Sequence, residues 1–361
     1  MRLEGSQPGL LKGPVLPRSR ILGSGSYAPV RAMSNAELEA IVDTSDDWIT
    51  TRTGIRRRHV AAEGENSSDL AAAAGRRALQ AAGLNVADLD MIVVGTVTPD
   101  SPMPACAAHV QRKLGADDIP AFDIAAACAG FVYGLSIGDQ FIATGAARCV
   151  MVIGVELLSR KMNWQDRTTC VLFGDGAGAV ILGPASWPVA RSLDGAPIER
   201  AYRDPERPAG ILSTVMYTDG SLAGALQIPA GGTAEPPSAA AVAEKRDKVH
   251  MVGQDVFKTA VRNLTSSSSQ ALKAAGLTSK DLDWVVAHQA NIRIINQVAQ
   301  RLGFPLDKFV INIDEYGNTS SASIPIALDE AIRDGRIKPG NTVLMCALGA
   351  GISWGAALAR M

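Results

Sequence analysis

Two stretches far apart in the chain spell the same unit. Ala78-Leu-Gln-Ala-Ala-Gly-Leu84 leads through Asp88-Leu-Asp90 into Met91-Ile-Val-Val94, and Ala271-Leu-Lys-Ala-Ala-Gly-Leu277 leads through Asp281-Leu-Asp283 into Trp284-Val-Val286. Each copy reads as a helix closed by glycine, a short turn and a buried strand. Such a unit cannot cover its own apolar face, so its recurrence predicts two similar halves packed together.

The remaining pattern puts those halves in the α/β class. Helical stretches alternate with short apolar runs at residues 91–94, 150–153, 171–173, 285–287, 309–313 and 342–345. Continuous apolar runs of this length suit strands covered by helices on both faces. Ser34 ahead of Glu37, and Thr278 ahead of Asp281, mark helix starts. Residues 1–20, broken by Pro8, Gly9, Gly13, Pro14 and Pro17, are expected to be a flexible extension. Residues 21–183 then form the first half and 251–361 the second. Residues 184–250, rich in Pro, Gly and Ala, are expected to be an excursion of loop between them.

Composition removes several function classes. A formal net charge of -1 leaves no basic footprint for nucleic acid. The cysteines (Cys106, Cys128, Cys149, Cys170 and Cys346) include no C-x-x-C pair, and Cys106-Ala-Ala-His109 is a poor start for a zinc site in a chain with four histidines. No metal is expected, and the thiols are expected to be reduced. No run is long and apolar enough to span a bilayer, so no membrane association is expected and the location is read as cytoplasmic.

Cys128 stands between a strand-like stretch, residues 122–124, and a helical one, residues 130–142. A thiol at a helix N-terminus faces unpaired N–H groups and the positive end of the macrodipole, which favour the thiolate. The flanking Ala126, Ala127, Ala129 and Gly130 would let a carbonyl reach the sulfur. The same thiol is also readable as a buried space-filler, the reading preferred for Cys149, Cys170 and Cys346 in or beside apolar runs. His288 ends a strand-like run, where open α/β sheets bind ligands, and is either a base or a satisfied structural residue. Asn318 follows Gly317 on a turn; its amide either donates to a developing enolate oxygen or serves the turn alone. Leu348-Gly-Ala-Gly-Ile-Ser-Trp-Gly355 ends a further run with exposed backbone N–H groups. Gly134-Leu-Ser-Ile-Gly138 matches the G-x-S-x-G of hydrolases but falls inside a helical pattern, so Ser136 is not expected to be a nucleophile. The glycines of residues 173–178 read as close-packing turns rather than a dinucleotide site.

Six motifs together carry a resemblance. AAACAGF around Cys128, AHQANIRI around His288, EYGNTSSASIP around Asn318 and GAGISWG near the C-terminus resemble the β-ketoacyl-acyl-carrier-protein synthase III family. TSDDWITTRTGIRRRH, from Thr44 to His59, and DRTTCVLFGDGAGAVIL, from Asp166 to Leu182, resemble it as well. The likeness runs from about Ile21 to Met361. It implies a thiolase-like fold, a duplicated αβαβα five-layer sandwich, in a homodimer.

The resemblance also implies roles. Cys128 matches the family's nucleophile, His288 and Asn318 the pair that promotes decarboxylation, and the backbone N–H groups of Cys128 and Gly351 the oxyanion hole. Acyl-CoA is the implied substrate, with no permanently bound cofactor, and acyl carrier protein the implied partner. Thr44, Trp48, Arg52, Arg167 and Asn291 match CoA contacts, and Lys258 and Arg293 match basic residues that meet the acidic carrier protein. Read from the residues alone, Arg52, Arg56, Arg57 and Arg58 are a solvated charged face. Acetyl-preferring members often carry Phe at the tip that crosses the dimer interface; Met103 stands there instead, and its flexible thioether is expected to admit a longer or branched primer. The alternative is a related condensing enzyme of specialised, polyketide-type metabolism that uses malonyl-CoA. A thiolase would need its second cysteine at Ala347.

Overall fold

In the computed structural model, which describes residues 19–187 and 207–361, the repeated unit becomes two sheets of matching topology. The first contains β1 (Ser19–Tyr27), β2 (Met91–Gly95), β3 (Ala121–Ile124), β4 (Val150–Leu157) and β5 (Asp175–Pro184), in the order β1-β5-β4-β2-β3. The second contains β6 (Gly210–Thr218), β7 (Trp284–Ala287), β8 (Thr342–Gly349) and β9 (Ser353–Arg360), in the order β7-β8-β9-β6. In both, the strand of the repeat (β2 or β7) pairs in parallel with a long buried strand (β4 or β8), and two antiparallel strands follow. Where β3 completes the first sheet, Phe309 makes a single parallel bridge to Val285 in the second.

Seven described helices have eight or more residues, α1 (Asp46–Thr53), α2 (Ser67–Ala82), α3 (Cys106–Leu114), α4 (Gly130–Ala143), α5 (Gly253–Ala274), α6 (Ile292–Leu302) and α7 (Ser323–Arg333), and all but α1 complete the layers. Phe131 and Leu135 of α4 and Ile324 and Leu328 of α7 share one apolar cluster with Val152 of the first sheet and Met345 of the second. These two helices therefore lie between the sheets. Leu70, Leu79 and Val110 carry α2 and α3 onto the outer face of the first sheet, and Leu264, Leu272 and Val298 carry α5 and α6 onto that of the second. The result is the five-layer thiolase-like sandwich. Each large apolar side chain buried between the layers contributes about 1.5–3 kcal/mol, and β4 and β8, buried along their whole length, are apolar apart from Glu156 and Thr342. The repeat's two glycines, Gly83 and Gly276, close their helices at φ 67° and 69°, the left-handed geometry that glycine adopts without strain.

The structure corrects several expectations. Residues 171–173 are not a strand; the strand follows as β5, whose glycines were read as turns. They do serve close packing, since a Cβ on Gly178 would stand 2.8 Å from the backbone nitrogen of Ile326 in α7. Within the span assigned to an excursion, β6 is the edge strand of the second sheet, so that half does not begin at residue 251. Its outer part is only half-buried, and a strand wet on one face shows no continuous apolar run. Residues 1–18 and 188–206 of the expected extension and excursion lie outside the described residues, while Ser19 and Arg20 already belong to β1. Arg58, read as part of a solvated face, is fully buried and donates to the Val171 carbonyl (2.8 Å) and Asn35 Oδ1 (2.8 Å), pinning the segment ahead of Phe173. No described helix is long and apolar enough to cross a membrane.

Candidate active site

The duplication brings equivalent connections face to face. Cys128 lies in the 3-10 turn Ala127–Ala129 that leads into the central helix α4, and Asn318 precedes the turn Ser320–Ala322 that leads into its counterpart α7. His288 leaves the end of β7, and Gly351 lies in the turn between β8 and β9. Cys128, His288 and Asn318 line one cavity of about 290 Å³. A second, largely apolar cavity of about 270 Å³, walled by Val97, Leu158, Ile228 and Val249, also reaches Cys128.

Each side chain is held by its neighbours. The His288 N–H donates to the Cys346 carbonyl (2.8 Å), and His288 Nδ1 lies 2.7 Å from Ser323 Oγ. Gln289 Nε2 donates to the carbonyls of Ala287 (2.8 Å) and Val310 (3.1 Å), locking the strand end to the neighbouring segment. The Asn318 backbone is clasped by Leu172 O (2.9 Å) and Gly174 N (3.0 Å), and its Oδ1 accepts from the Ser320 N–H (2.9 Å). That last contact engages the oxygen of the amide and leaves the nitrogen as its donor end.

Electrostatics corrects the expectation of a resting thiolate. Burial pushes the Cys128 thiol up to about 12; a hydrogen bond from Ser320 opposes the shift and the charge of Glu156 adds to it. Desolvation of the anion is the largest cause, and with it the resting sulfur carries its proton. Burial also drives His288 down to about 3, which keeps the imidazole neutral. Condensation is therefore expected to show no loss from His288 protonation as pH falls from 8 to 5; ring NMR signals titrating near 6.5 would contradict this. Stability follows the opposite course, because the unfolded histidine binds its proton near 6.5 and the folded one does not, so the contribution is lost progressively as pH falls from 6.5 towards 3.

The backbone is strained where it carries the chemistry. Ala127 (φ 46°), Ser320 (φ 51°) and Ile352 (φ 41°) occupy the left-handed region beside Cys128, Asn318 and Gly351. Each costs about 1–3 kcal/mol and persists only because the surroundings enforce it. Gly349 presses on Cys128: a Cβ there would stand 2.6 Å from the Cys128 nitrogen and 2.7 Å from the Ala126 carbonyl oxygen. Gly349→Ala is expected to slow acylation of Cys128 by roughly 100-fold in a single-turnover assay, by displacing the nucleophile's backbone. An unchanged rate would show that the contact is slack.

Comparison with known proteins decides the family. The profile for 3-oxoacyl-[acyl-carrier-protein (ACP)] synthase III matches residues 122–194, and that for its C-terminal part matches residues 272–361. A β-ketoacyl-[acyl-carrier-protein] synthase III of Paramagnetospirillum magneticum is 50% identical over 346 residues, covering 95% of this chain and 99% of that protein. The chain belongs to the β-ketoacyl-[acyl-carrier-protein] synthase III family. The crystal structure of a 3-oxoacyl-[acyl-carrier-protein] synthase III from Aquifex aeolicus superposes with a TM-score of 0.82 at 42% identity, covering 95% of this chain and 100% of that one. The priming β-ketosynthase of the R1128 polyketide pathway superposes at 0.83 with 36% identity, covering 98% and 99%.

For a synthase III, most of the sequence-derived contacts converge. Trp48, Arg52, Arg167, Asn291 and Arg293 line the same cavity as the three reactive side chains. The guanidinium groups of Arg52 and Arg167 lie 5.1 and 5.2 Å from the Trp48 ring centroid, the stacking chemistry that also suits a nucleotide base. Asn291 caps α6, its Oδ1 accepting from the Arg293 N–H (2.8 Å). Lys258 is exposed on α5, next to the wall residue Phe257. Thr44 is not on the cavity wall, and its Oγ1 is buried without a hydrogen-bond partner among the described residues. Met103 is 86% exposed and touches neither cavity of its own chain. Sequence reasoning passed over Ser323, Gln289, Ser320, Gly349 and Glu156. Of these, Glu156 left a signal: a lone carboxyl continuing the apolar run of β4.

Proposed function

We propose that this protein carries out a decarboxylative Claisen condensation, joining an acyl-CoA primer to malonyl-acyl-carrier-protein to give 3-oxoacyl-acyl-carrier-protein, CO2 and CoA. The observation that carries this reading is the single cavity shared by Cys128, His288 and Asn318. Acylation comes first. The Cys128 sulfur attacks the thioester carbonyl, the backbone N–H groups of Cys128 and Gly351 receive the developing oxyanion, and CoA leaves with the thiol proton. The malonyl group then takes the place of CoA. Ser323 Oγ donates to His288 Nδ1, which leaves Nε2–H as a donor, and with the Asn318 amide it holds the enolate oxygen formed as CO2 departs. The enolate carbon attacks the acyl-enzyme and Cys128 leaves as a thiolate, which takes a proton from solvent to replace the one that departed with CoA. A neutral imidazole suits this role, since it donates without adding a titrating charge.

The same proposal extends to the entrance and the primer. Trp48, Arg52, Arg167 and Asn291 receive CoA, with Thr44 beside them, and Lys258 and Arg293 face the acidic carrier protein. The apolar cavity walled by Leu158 and Ile228 receives the acyl chain and has room for several methylene groups. In a homodimer the exposed Met103 would reach towards the neighbouring subunit's primer pocket. The protein is placed in the cytoplasm, in the first condensation of fatty-acid synthesis. Across a panel of acyl-CoAs, isobutyryl and octanoyl primers are expected to react within about tenfold of acetyl, and Met103→Phe to narrow the range. An acetyl preference of several orders of magnitude would sink the primer assignment. The likeness to the R1128 priming ketosynthase favours one second reading, a role in specialised metabolism. Multi-step products from malonyl-CoA alone would support it.

A further inference from the structure

Glu156, at the end of β4, is completely buried. Its Oε1 accepts from Ser320 Oγ (3.2 Å), Ser321 Oγ (3.3 Å) and the Val97 N–H (3.2 Å), while Oε2 accepts from Thr98 Oγ1 (2.6 Å). Neither half-reaction as derived above uses this carboxyl. A buried carboxyl is costly unless paired, and this one is satisfied by neutral donors only from the loop after β2 and the turn after Asn318. Two of those donors belong to Ser320 and Ser321. Ser320 is the residue held at φ 51°, and its N–H fixes Asn318 Oδ1 at 2.9 Å.

We propose that Glu156 is a positioning residue for the decarboxylation half-reaction, holding the strained Ser320 so that the Asn318 amide stays aimed at the enolate oxygen. The chain of contacts has two links: Glu156 Oε1 to Ser320 Oγ, and Ser320 N–H to Asn318 Oδ1. The inference rests on the role given to Asn318 under the proposed function. Acylation does not depend on the link from Ser320 N–H to Asn318, because its oxyanion donors belong to Cys128 and Gly351; it meets Ser320 only through the hydroxyl's hydrogen bond to the Cys128 thiol. Burial raises the Glu156 carboxyl to about 7, and the charge it carries as pH rises past that value adds to the burial that holds the Cys128 thiol up, so removing it does not hinder acylation.

The test measures both half-reactions separately on the full-length protein. Cys128 acylation by acyl-CoA is followed by intact mass, and decarboxylation by CO2 release from malonyl-acyl-carrier-protein on pre-acylated enzyme. Glu156→Gln is expected to lower decarboxylation roughly 10- to 100-fold while acylation is equal to wild type or faster. Glu156→Asp, which keeps the charge, is expected to recover much of the loss. Ser320→Ala is expected to impair decarboxylation as well, with a fall in acylation of its own because it removes the hydrogen bond to the Cys128 thiol, and adding it to Glu156→Gln is expected to cost decarboxylation little more, because both variants cut one path. If Glu156→Gln fails to fold, the decarboxylation rate of Ser320→Ala carries the comparison with no change of buried charge. A parallel fall in both half-reactions of Glu156→Gln would overturn the proposal in favour of a general structural role. Decarboxylation within twofold of wild type in both variants would overturn it outright. Asn318→Ala run alongside separates the two ideas: normal decarboxylation there would remove the role of Asn318 itself, whereas a loss there with none at Glu156 removes only the link.

Discussion

Cys128→Ala is expected to lower overall condensation by roughly 10⁴-fold or more, because removing the nucleophile of a covalent mechanism leaves only binding and oxyanion stabilisation. No other thiol stands ready to replace it. Cys106, Cys149, Cys170 and Cys346 are buried, none lines either cavity beside Cys128, and burial pushes each thiol up, Cys346 to about 11. Ser136 is no substitute, since it lies inside α4 and is hydrogen-bonded to Thr214 Oγ1 at 2.9 Å. The variant should still release CO2 from malonyl-acyl-carrier-protein, because His288 and Asn318 are untouched. Steady-state condensation and CO2 release, measured side by side, check both halves of this expectation. Condensation surviving at even a tenth of the wild-type rate would rule out Cys128 as the acyl carrier.

Asn318→Ala should produce the complementary defect. Loss of one preorganised donor at a developing oxyanion costs about 10²–10³ in rate, and here the loss falls on decarboxylation. Acylation by acyl-CoA should stay within about threefold of wild type, since its oxyanion meets backbone donors on other segments. The backbone of Asn318 is held by Leu172 and Gly174 whatever its side chain, so the turn should survive the substitution. Single-turnover acylation and CO2 release on the same preparation decide the matter. Equal losses in both assays would mean that the variant has damaged the fold instead of removing a donor.

How far the sequence reached depended on which residues were buried on both faces. The repeat around residues 78–94 and 271–286 exposed the duplication because β2 and β7 are covered by helices and so read as apolar runs. The same logic hid β6, half wet at a sheet edge, and disguised β5, where glycines serve helix approach instead of turns. Cys128, His288, Asn318 and Gly351 were legible as residue types at strand ends, but only motifs matched in order gave them common purpose. Charge was read less well. Arg58 sits in an arginine run that looks solvated, yet its guanidinium satisfies buried carbonyls far along the chain. Thiol ionisation at Cys128 was expected from its helix start alone; burial and the neighbouring Glu156, neither visible in local sequence, reverse it. Met103 marks a different boundary, because a side chain exposed in its own chain acts, if at all, on another.

The central claim, that Cys128 carries the acyl group, is tested most directly by mixing the protein with acetyl-CoA in the absence of malonyl-acyl-carrier-protein and mapping the adduct by peptide mass spectrometry. One acetyl group per chain is expected, on the peptide containing Cys128, released by hydroxylamine as a thioester. An adduct on Ser136 or on another cysteine, or none at saturating acetyl-CoA and longer primers alike, would contradict it.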